Sequence, residues 1–112
     1  MAGLLAGVDL GGTSIKAALA DESGRVLARE VIPTESHQGP DGVLARIADL
    51  IQRLLSNIAN ESSPPQLLGI GMGVPGLVDV AKGTTKFLPN LTTQWRDVPA
   101  GNMLSERLGC PV

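Results

Sequence analysis

The sequence predicts an α/β fold in which a mixed β-sheet, opening with three antiparallel strands, is flanked by helices. Two observations carry this prediction. Three short apolar or alternating segments come first, separated by tight-turn residues, and an amphipathic segment with helical spacing follows them. The length of 112 residues leaves room for one domain, and a hydrophobic content of 43% is sufficient for its core.

The first three strands are predicted from their residue patterns. Residues 4–10 form an apolar run, typical of a buried strand, that ends at the turn-forming pair Gly11-Gly12. From Ser14 onward apolar residues occupy alternate positions, which predicts a second strand and therefore an antiparallel hairpin. A turn over 21–24 leads into a third strand over 25–32. Such a meander excludes a purely parallel dinucleotide-binding fold at the start of the chain.

A long helix and a fourth strand are predicted next. Apolar residues between Val43 and Ile58 recur at helical spacing, and Asp41 is placed to cap this helix. A loop over 60–66 connects it to a glycine-rich apolar run over 67–74. We expect a buried strand there, whose glycines let another group approach closely.

The last third of the sequence predicts a small hairpin and a second helix. The hairpin pairs residues 77–80 with 84–88 around a Lys-Gly turn. Asp97 can cap the helix that follows, with Pro99 in its first turn and Gly109 just past its end. Residues 110–112 are expected to open another strand.

Composition excludes several classes of function. Nine Lys and Arg residues against eleven Asp and Glu give a net charge of −2, and aromatic residues make up only 2%. This balance argues against nucleic-acid binding, which needs basic surface and stacking faces. The single cysteine, Cys110, forms no internal disulfide and, with one histidine, no metal cluster. The start of the chain lacks a basic region and a long apolar run, so we expect neither a leader nor a membrane span, and a cytoplasmic protein.

The first candidate site is the hairpin from Asp9 to Lys16. Its two glycines permit positive φ and leave N–H groups able to face an anion, so the turn can bind phosphate, and Thr13 adds a hydroxyl. Asp9 can hold Mg²⁺ through water, because that ion dehydrates reluctantly. The alternative is a tight hairpin whose Asp9 accepts turn hydrogen bonds. For Lys16 a solvent-facing position is the favoured interpretation.

Two further candidates lie downstream. Gly71, Gly73 and Gly76 match the spacing of a dinucleotide fingerprint, but the residues after Gly76 have strand and turn character instead of opening a helix. Two interpretations stay open: a bend, fixed by Pro75, that lets backbone approach a polyol, and close packing of the strand against a helix. Asn90 offers a donor and an acceptor that suit a sugar hydroxyl, although a Pro-Asn pair alone indicates only a turn.

In this order and spacing the three motifs resemble the ROK family (repressors, open reading frames and kinases), and within it the bacterial glucokinases. The matching segments cover nearly the whole chain: Gly7-Val-Asp-Leu-Gly-Gly-Thr13, Pro33-Thr34, Gly69-Ile-Gly-Met-Gly-Val-Pro-Gly-Leu-Val-Asp79, Pro89-Asn-Leu91, Trp95, and Leu108-Gly-Cys-Pro-Val112. Two departures stand out. Thr92-Thr-Gln94 lengthens one loop, and Ser14 stands where family members often carry Lys, a role open to Lys16.

The resemblance implies the actin-like ATPase fold, with a ribonuclease H-like sheet in each of two lobes. Residues 1–112 would be the N-terminal lobe, truncated before the catalytic Asp and the C-terminal lobe, so this chain is expected to hold no catalytic residue. A structural zinc in the complete protein would use cysteines that come later. Alone, the chain is expected to be inactive and to self-associate.

The implied reaction is phosphoryl transfer from MgATP to the 6-hydroxyl of a hexose, glucose above all. The phosphates would be held by Gly11, Gly12 and Thr13, with Asp9 supporting Mg²⁺. Gly76 and Asn90 would contact the sugar. Two alternatives stay open. The first is a kinase of fructose, N-acetylmannosamine or N-acetylglucosamine. The second is a sugar-sensing transcriptional regulator of the same family without its DNA-binding module, since the eight residues before Asp9 leave no room for such a module.

Overall fold

The structure is a computed structural model that describes residues 3–59 and 65–112. Its main sheet has four strands, which are β1 (Gly3–Leu10), β2 (Ser14–Asp21), β3 (Val26–Pro33) and β4 (Gln66–Gly73). They lie in the order β3-β2-β1-β4. The first three pair in antiparallel fashion, and β4 joins β1 in parallel. The mixed sheet predicted from the sequence is therefore confirmed.

Two helices and a second, two-stranded antiparallel sheet complete the fold. They are α1 (Gly39–Ile58), β5 (Leu77–Asp79), β6 (Thr84–Phe87) and α2 (Ala100–Leu108). Short 3-10 turns occur at Ser36–Gln38 and Thr92–Trp95. The expected loop over 60–66 falls largely outside the described residues. Within the described ranges, neither helix is long and apolar enough to cross a lipid bilayer.

The core lies on one side of the main sheet. α1 buries the apolar face predicted from its spacing, including Val43, Ile47 and Leu54, against alternate residues of β1 and β2. α2 packs against α1 and β6 and adds Leu104 to the same core. Cys110 is also buried, as a small apolar residue would be, and this burial raises the pKa of its thiol.

The strands predicted as buried at residues 4–10 and 67–74 are buried only in part. In β1, exposed residues alternate with buried ones, and in β4 only Ile70 is buried. The reason is that α1 and α2 cover one face of the sheet and nothing among the described residues covers the other. A Cβ at Gly71 or Gly73 would accordingly meet no atom within 4 Å, so the expected close approach to these glycines is not seen in this part of the chain.

Both predicted helix caps are also wrong. The N-cap of α1 is Gln38, and Asp41 lies inside the first turn. The N-cap of α2 is Pro99, which therefore precedes the helix instead of lying in its first turn. Asp97 is ion-paired with Lys86, at 2.8 Å between Oδ1 and Nζ, and this ammonium lowers the pKa of the Asp97 carboxyl. The cap at the other end is confirmed, because Gly109 adopts the left-handed conformation.

The strand expected at 110–112 is not formed. One hydrogen bond links this segment to β4, in which the Ile70 N–H donates to the Pro111 carbonyl at 2.9 Å. Residues 110–112 thus lie along the edge of β4 that β1 does not occupy. The small hairpin is confirmed, with slightly shorter strands than expected.

Candidate functional site

The loop of Gly11, Gly12 and Thr13 joins β1 to β2, at the end of the sheet that carries Asp9. The predicted positive φ is wrong, since neither glycine adopts it. Gly11 is required by close packing instead, because a Cβ there would lie 2.9 Å from the Ser14 carbonyl oxygen. The Gly11 N–H donates to that same oxygen and is not available to an anion. The N–H groups of Gly12 and Thr13 donate to none of the described residues, so these two remain able to bind phosphate.

Thr34 holds this loop in place, a role that the sequence analysis missed. The residue is fully buried, directly after β3. Its hydroxyl donates to the Gly11 carbonyl at 2.7 Å, and its N–H donates to the Thr13 carbonyl at 2.9 Å. The only sequence signal was a polar residue in the Pro33-Thr34 pair that closes a strand. The loop is thus fixed at both ends by one buried side chain and its own backbone.

Asp9 and Lys16 lie directly opposite each other in the β1–β2 pairing, and both are exposed. On its other side Asp9 pairs with Gly73 of β4. The Asp9 carboxylate forms no hydrogen bond or ion pair with the described residues, so it does not serve the turn as the alternative interpretation proposed. Lys16 is solvent-facing, as favoured, but it lies on the same face as Asp9.

The Asp9 carboxylate fits a magnesium ion of the kind that accompanies a nucleotide. Mg²⁺ is usually held by one or two carboxylates, with water and substrate phosphates completing its shell. Asp9 supplies one free carboxylate next to the two free N–H groups of the loop. Among residues 3–59 and 65–112, no group of three His, Cys, Asp or Glu side chains is placed to bind a metal without such a partner.

Asn90 lies in a turn that contacts the Gly-Gly-Thr loop. The Leu91 N–H donates to the Leu88 carbonyl at 3.1 Å, and the Leu88 N–H donates to Gln94 at 2.8 Å, which close the turn. A Cβ at Gly12 would lie 3.1 Å from the Asn90 carbonyl oxygen and 3.2 Å from Asn90 Cβ. The structure therefore brings a predicted phosphate-binding residue and a predicted sugar-binding residue into contact.

Gly76 packs against the same segment of chain. A Cβ at Gly76 would lie 2.1 Å from the Phe87 carbonyl oxygen and 3.1 Å from Leu88 Cα. β5 begins at the next residue, so no helix follows, which agrees with the rejection of a dinucleotide fingerprint. Gly76 also borders a cavity of ≈ 340 Å³ between β4, the β5–β6 hairpin and α2, whose walls include neither Asp9 nor Asn90.

The lengthened loop has an unusual backbone. Thr93, Gln94, Trp95 and Asp97 all have positive φ, between 49° and 65°. Residues with a Cβ rarely adopt this conformation unless surrounding contacts hold them there. Trp95 supplies one such contact because it is fully buried, and its carbonyl accepts a hydrogen bond of 2.6 Å from the buried Thr85 hydroxyl. The loop is therefore anchored at its far end by Trp95.

Comparison with known proteins shows the family to which the chain belongs. A sequence model of the ROK family matches residues 5–112. The chain is 35% identical over 106 residues to a glucokinase of Halalkalibacterium halodurans, covering 95% of this chain and 31% of that protein. It is also 30% identical over 110 residues to a xylose repressor of Caldicellulosiruptor bescii, covering 98% of this chain and 27% of the repressor.

A solved structure supports the same relationship. It is a ROK family glucokinase from Streptomyces griseus in complex with glucose and AMPPNP, which is 32% identical, with a TM-score of 0.73 over 97% of this chain and 31% of that chain. The actin-like ATPase fold is thereby confirmed. The chain spans about a third or less of the length of these relatives. Because the family model covers nearly all of its residues, the chain belongs to the ROK family.

Proposed function

We propose that residues 1–112 are the N-terminal lobe of an ATP-dependent hexose kinase of the glucokinase type. The complete protein would transfer a phosphoryl group from MgATP to the 6-hydroxyl of glucose. The observation that carries this proposal is the contact of Gly12 with Asn90. It would hold the phosphoryl donor and the acceptor side by side, and phosphoryl transfer is accelerated mainly by positioning and charge stabilisation.

The geometry supports the following proposed roles for these residues. The N–H groups of Gly12 and Thr13, with the Thr13 hydroxyl, would bind phosphate oxygens, and Lys16 would add positive charge on the same face. Gly11 would contribute shape alone, since its N–H is used within the turn. Asp9 would hold Mg²⁺ through water; when bound, this ion neutralises phosphate charge. The Asn90 amide and the Gly76 backbone would contact the sugar, and the packing of Gly76 against Leu88 would also hold the Asn90 turn in position.

The base for the sugar hydroxyl and the opposing wall of the nucleotide cleft would come from residues beyond this chain. Any structural zinc would also be bound there, because this chain has one cysteine and one histidine. We place the complete protein in the cytoplasm, where MgATP is available, without a nucleic-acid or membrane partner. The similarity to a glucokinase that was solved with glucose and AMPPNP supports the proposal that the substrates are a hexose and ATP.

A sugar-sensing regulator is the second candidate, favoured by the 30% identity to a xylose repressor. The two candidates differ in one measurable property. A kinase converts glucose and ATP to products, whereas a regulator binds the sugar without turnover. A coupled assay on the complete reading frame, run with glucose, fructose, xylose and the two N-acetylated hexosamines, separates them and also tests which sugar is the substrate.

Asn90→Ala in the complete protein should weaken sugar binding and leave nucleotide binding unchanged. Loss of one partner in a polar site costs about 1–3 kcal/mol, which corresponds to roughly a ten- to hundredfold higher sugar KM. The KM values for glucose and MgATP are measured separately. Asn57→Ala, on the exposed side of α1, is the matched control. An unchanged sugar KM would show that Asn90 is a turn residue only.

The 112-residue chain alone should self-associate and should not phosphorylate glucose. The uncovered sheet face and the hairpin expose large apolar side chains, including Val31 (60% exposed), Leu77 (65%) and Val80 (84%). Such surface, next to a strand edge with few partners, tends to pair with another copy. Light scattering during gel filtration and a coupled kinase assay check both points. A monomer at high concentration contradicts the first, and turnover above background contradicts the second.

A further inference from the structure

The short connection between β3 and α1 contacts both halves of the proposed site. Thr34 bonds to the Gly-Gly-Thr loop, through Gly11 and Thr13. Two residues later, the Ser36 hydroxyl accepts the Thr92 N–H at 2.8 Å and lies 3.1 Å from the Thr92 hydroxyl. One three-residue segment therefore reaches the proposed phosphate loop with its first residue and the lengthened loop with its last.

Thr92 is the residue through which Ser36 reaches the Asn90 turn. It directly follows Leu91, whose N–H and carbonyl both take part in the bonds that close this turn, to Leu88 and to Gln94. The far end of the lengthened loop is held by buried contacts of Trp95. The near end of the lengthened loop is Thr92. In the described part of the chain, Ser36 is the residue outside the loop that forms hydrogen bonds with this end. Ser36 thus fixes the exposed end of the Asn90 turn.

Glu35, between the two contact residues, adopts a left-handed conformation with φ 57° and ψ 51°. A residue with a Cβ is disfavoured in this region, and a β-branched residue more strongly so. The left-handed turn lets the side chain of Thr34 enter the core while that of Ser36 faces the loop at Thr92. The bonds on both sides of Glu35 hold this conformation in place.

We propose that Thr34, Glu35 and Ser36 form a positioning bridge that sets the separation between the phosphate loop and the Asn90 turn. This inference rests on the proposed function, because it assigns those two elements to the two substrates. Thr34 and Ser36 are positioning residues. They act through the Gly11–Thr13 loop and through Thr92, and a small misplacement of either reactant lowers the rate of transfer.

Kinetics of the complete protein test the bridge. Thr34→Val removes the hydroxyl and should raise the KM for MgATP about fivefold or more, whereas Ser36→Ala should raise the KM for glucose by a similar factor. Glu35→Val opposes the left-handed turn and should raise both values together. Thr34→Ser keeps the hydroxyl, and Glu35→Gly keeps the left-handed backbone. Both variants should therefore have near-normal KM values for MgATP and glucose. Ser56→Ala, exposed on α1, is the matched control for Ser36→Ala.

Hydrogen–deuterium exchange on the same variants gives a readout that needs no activity. Thr34→Val should speed exchange in peptides covering 9–16, Ser36→Ala in peptides covering 88–96, and Glu35→Val in both. If the unaltered protein has no turnover but these changes occur, the kinase proposal fails and the bridge stands. If Glu35→Val speeds exchange in only one of the two regions, 9–16 and 88–96, or in neither, the proposal of a bridge is overturned. Should Thr34→Val not fold, the variants at Glu35 and Ser36 decide the question.

Discussion

If the complete protein is the proposed kinase, replacing Asp9 with alanine should lower kcat for glucose phosphorylation by roughly 10²–10³-fold, a loss comparable to that of one preorganised electrostatic group at a transition state. The sugar KM should change little, because Asp9 lies at the phosphate loop and not in the Asn90 turn. Asp9 is exposed, and its carboxylate forms no hydrogen bond or ion pair with the described residues. The variant should therefore fold normally, so that the loss of rate is separable from a loss of stability.

The measurement is kcat at saturating glucose and MgATP, together with the thermal unfolding midpoint of each variant. Asp49→Ala removes an exposed carboxylate from α1, away from the site, and is the matched control. It should leave kcat unchanged. A folded Asp9→Ala enzyme with near-normal kcat would remove Asp9 from the reaction and weaken the assignment of the loop to phosphate.

Gly76→Ala should destabilise the 112-residue chain and also weaken sugar binding in the complete protein. The new methyl carbon would lie 2.1 Å from the Phe87 carbonyl oxygen, a backbone atom that cannot rotate away. Gly76 is exposed, but the clash is with backbone; overpacking costs typically about 1–3 kcal/mol, and we expect the upper end of this range because backbone must move. The shift would pass through Leu88 to the turn that holds Asn90.

Denaturant unfolding of the chain measures the first effect, and the glucose KM measures the second. Gly71→Ala belongs to the same glycine-rich segment, but its Cβ would meet no atom within 4 Å. In the 112-residue chain it should unfold almost as the unaltered chain does. Equal unfolding midpoints for Gly76→Ala and Gly71→Ala would show that the segment yields easily, and that Gly76 is not needed for packing.

The sequence alone determined the order of the elements and the family. The strand over residues 14–21 and the helix over 39–58 follow from local periodicity. In each segment the spacing of the apolar residues indicates both the type of element and the face that it buries. The three motifs indicated the family because they are short, contiguous and in a characteristic order. The same motifs indicated the residues proposed to bind phosphate and sugar, but not the distance between them.

Tertiary structure decided everything that depends on a distant partner. Gly12 meets Asn90, Thr34 bonds to Gly11 and Thr13, and Ser36 bonds to Thr92, although these partners are far apart in sequence. The same limit explains the errors. Asp97 is of a residue type that often caps helices, yet its carboxylate is ion-paired with Lys86 of β6 instead. The pattern of β1 fits a buried strand, but only the packing of α1 and α2 shows that one face is covered. A local pattern reports what a residue can do, and the packed chain determines which partner it meets.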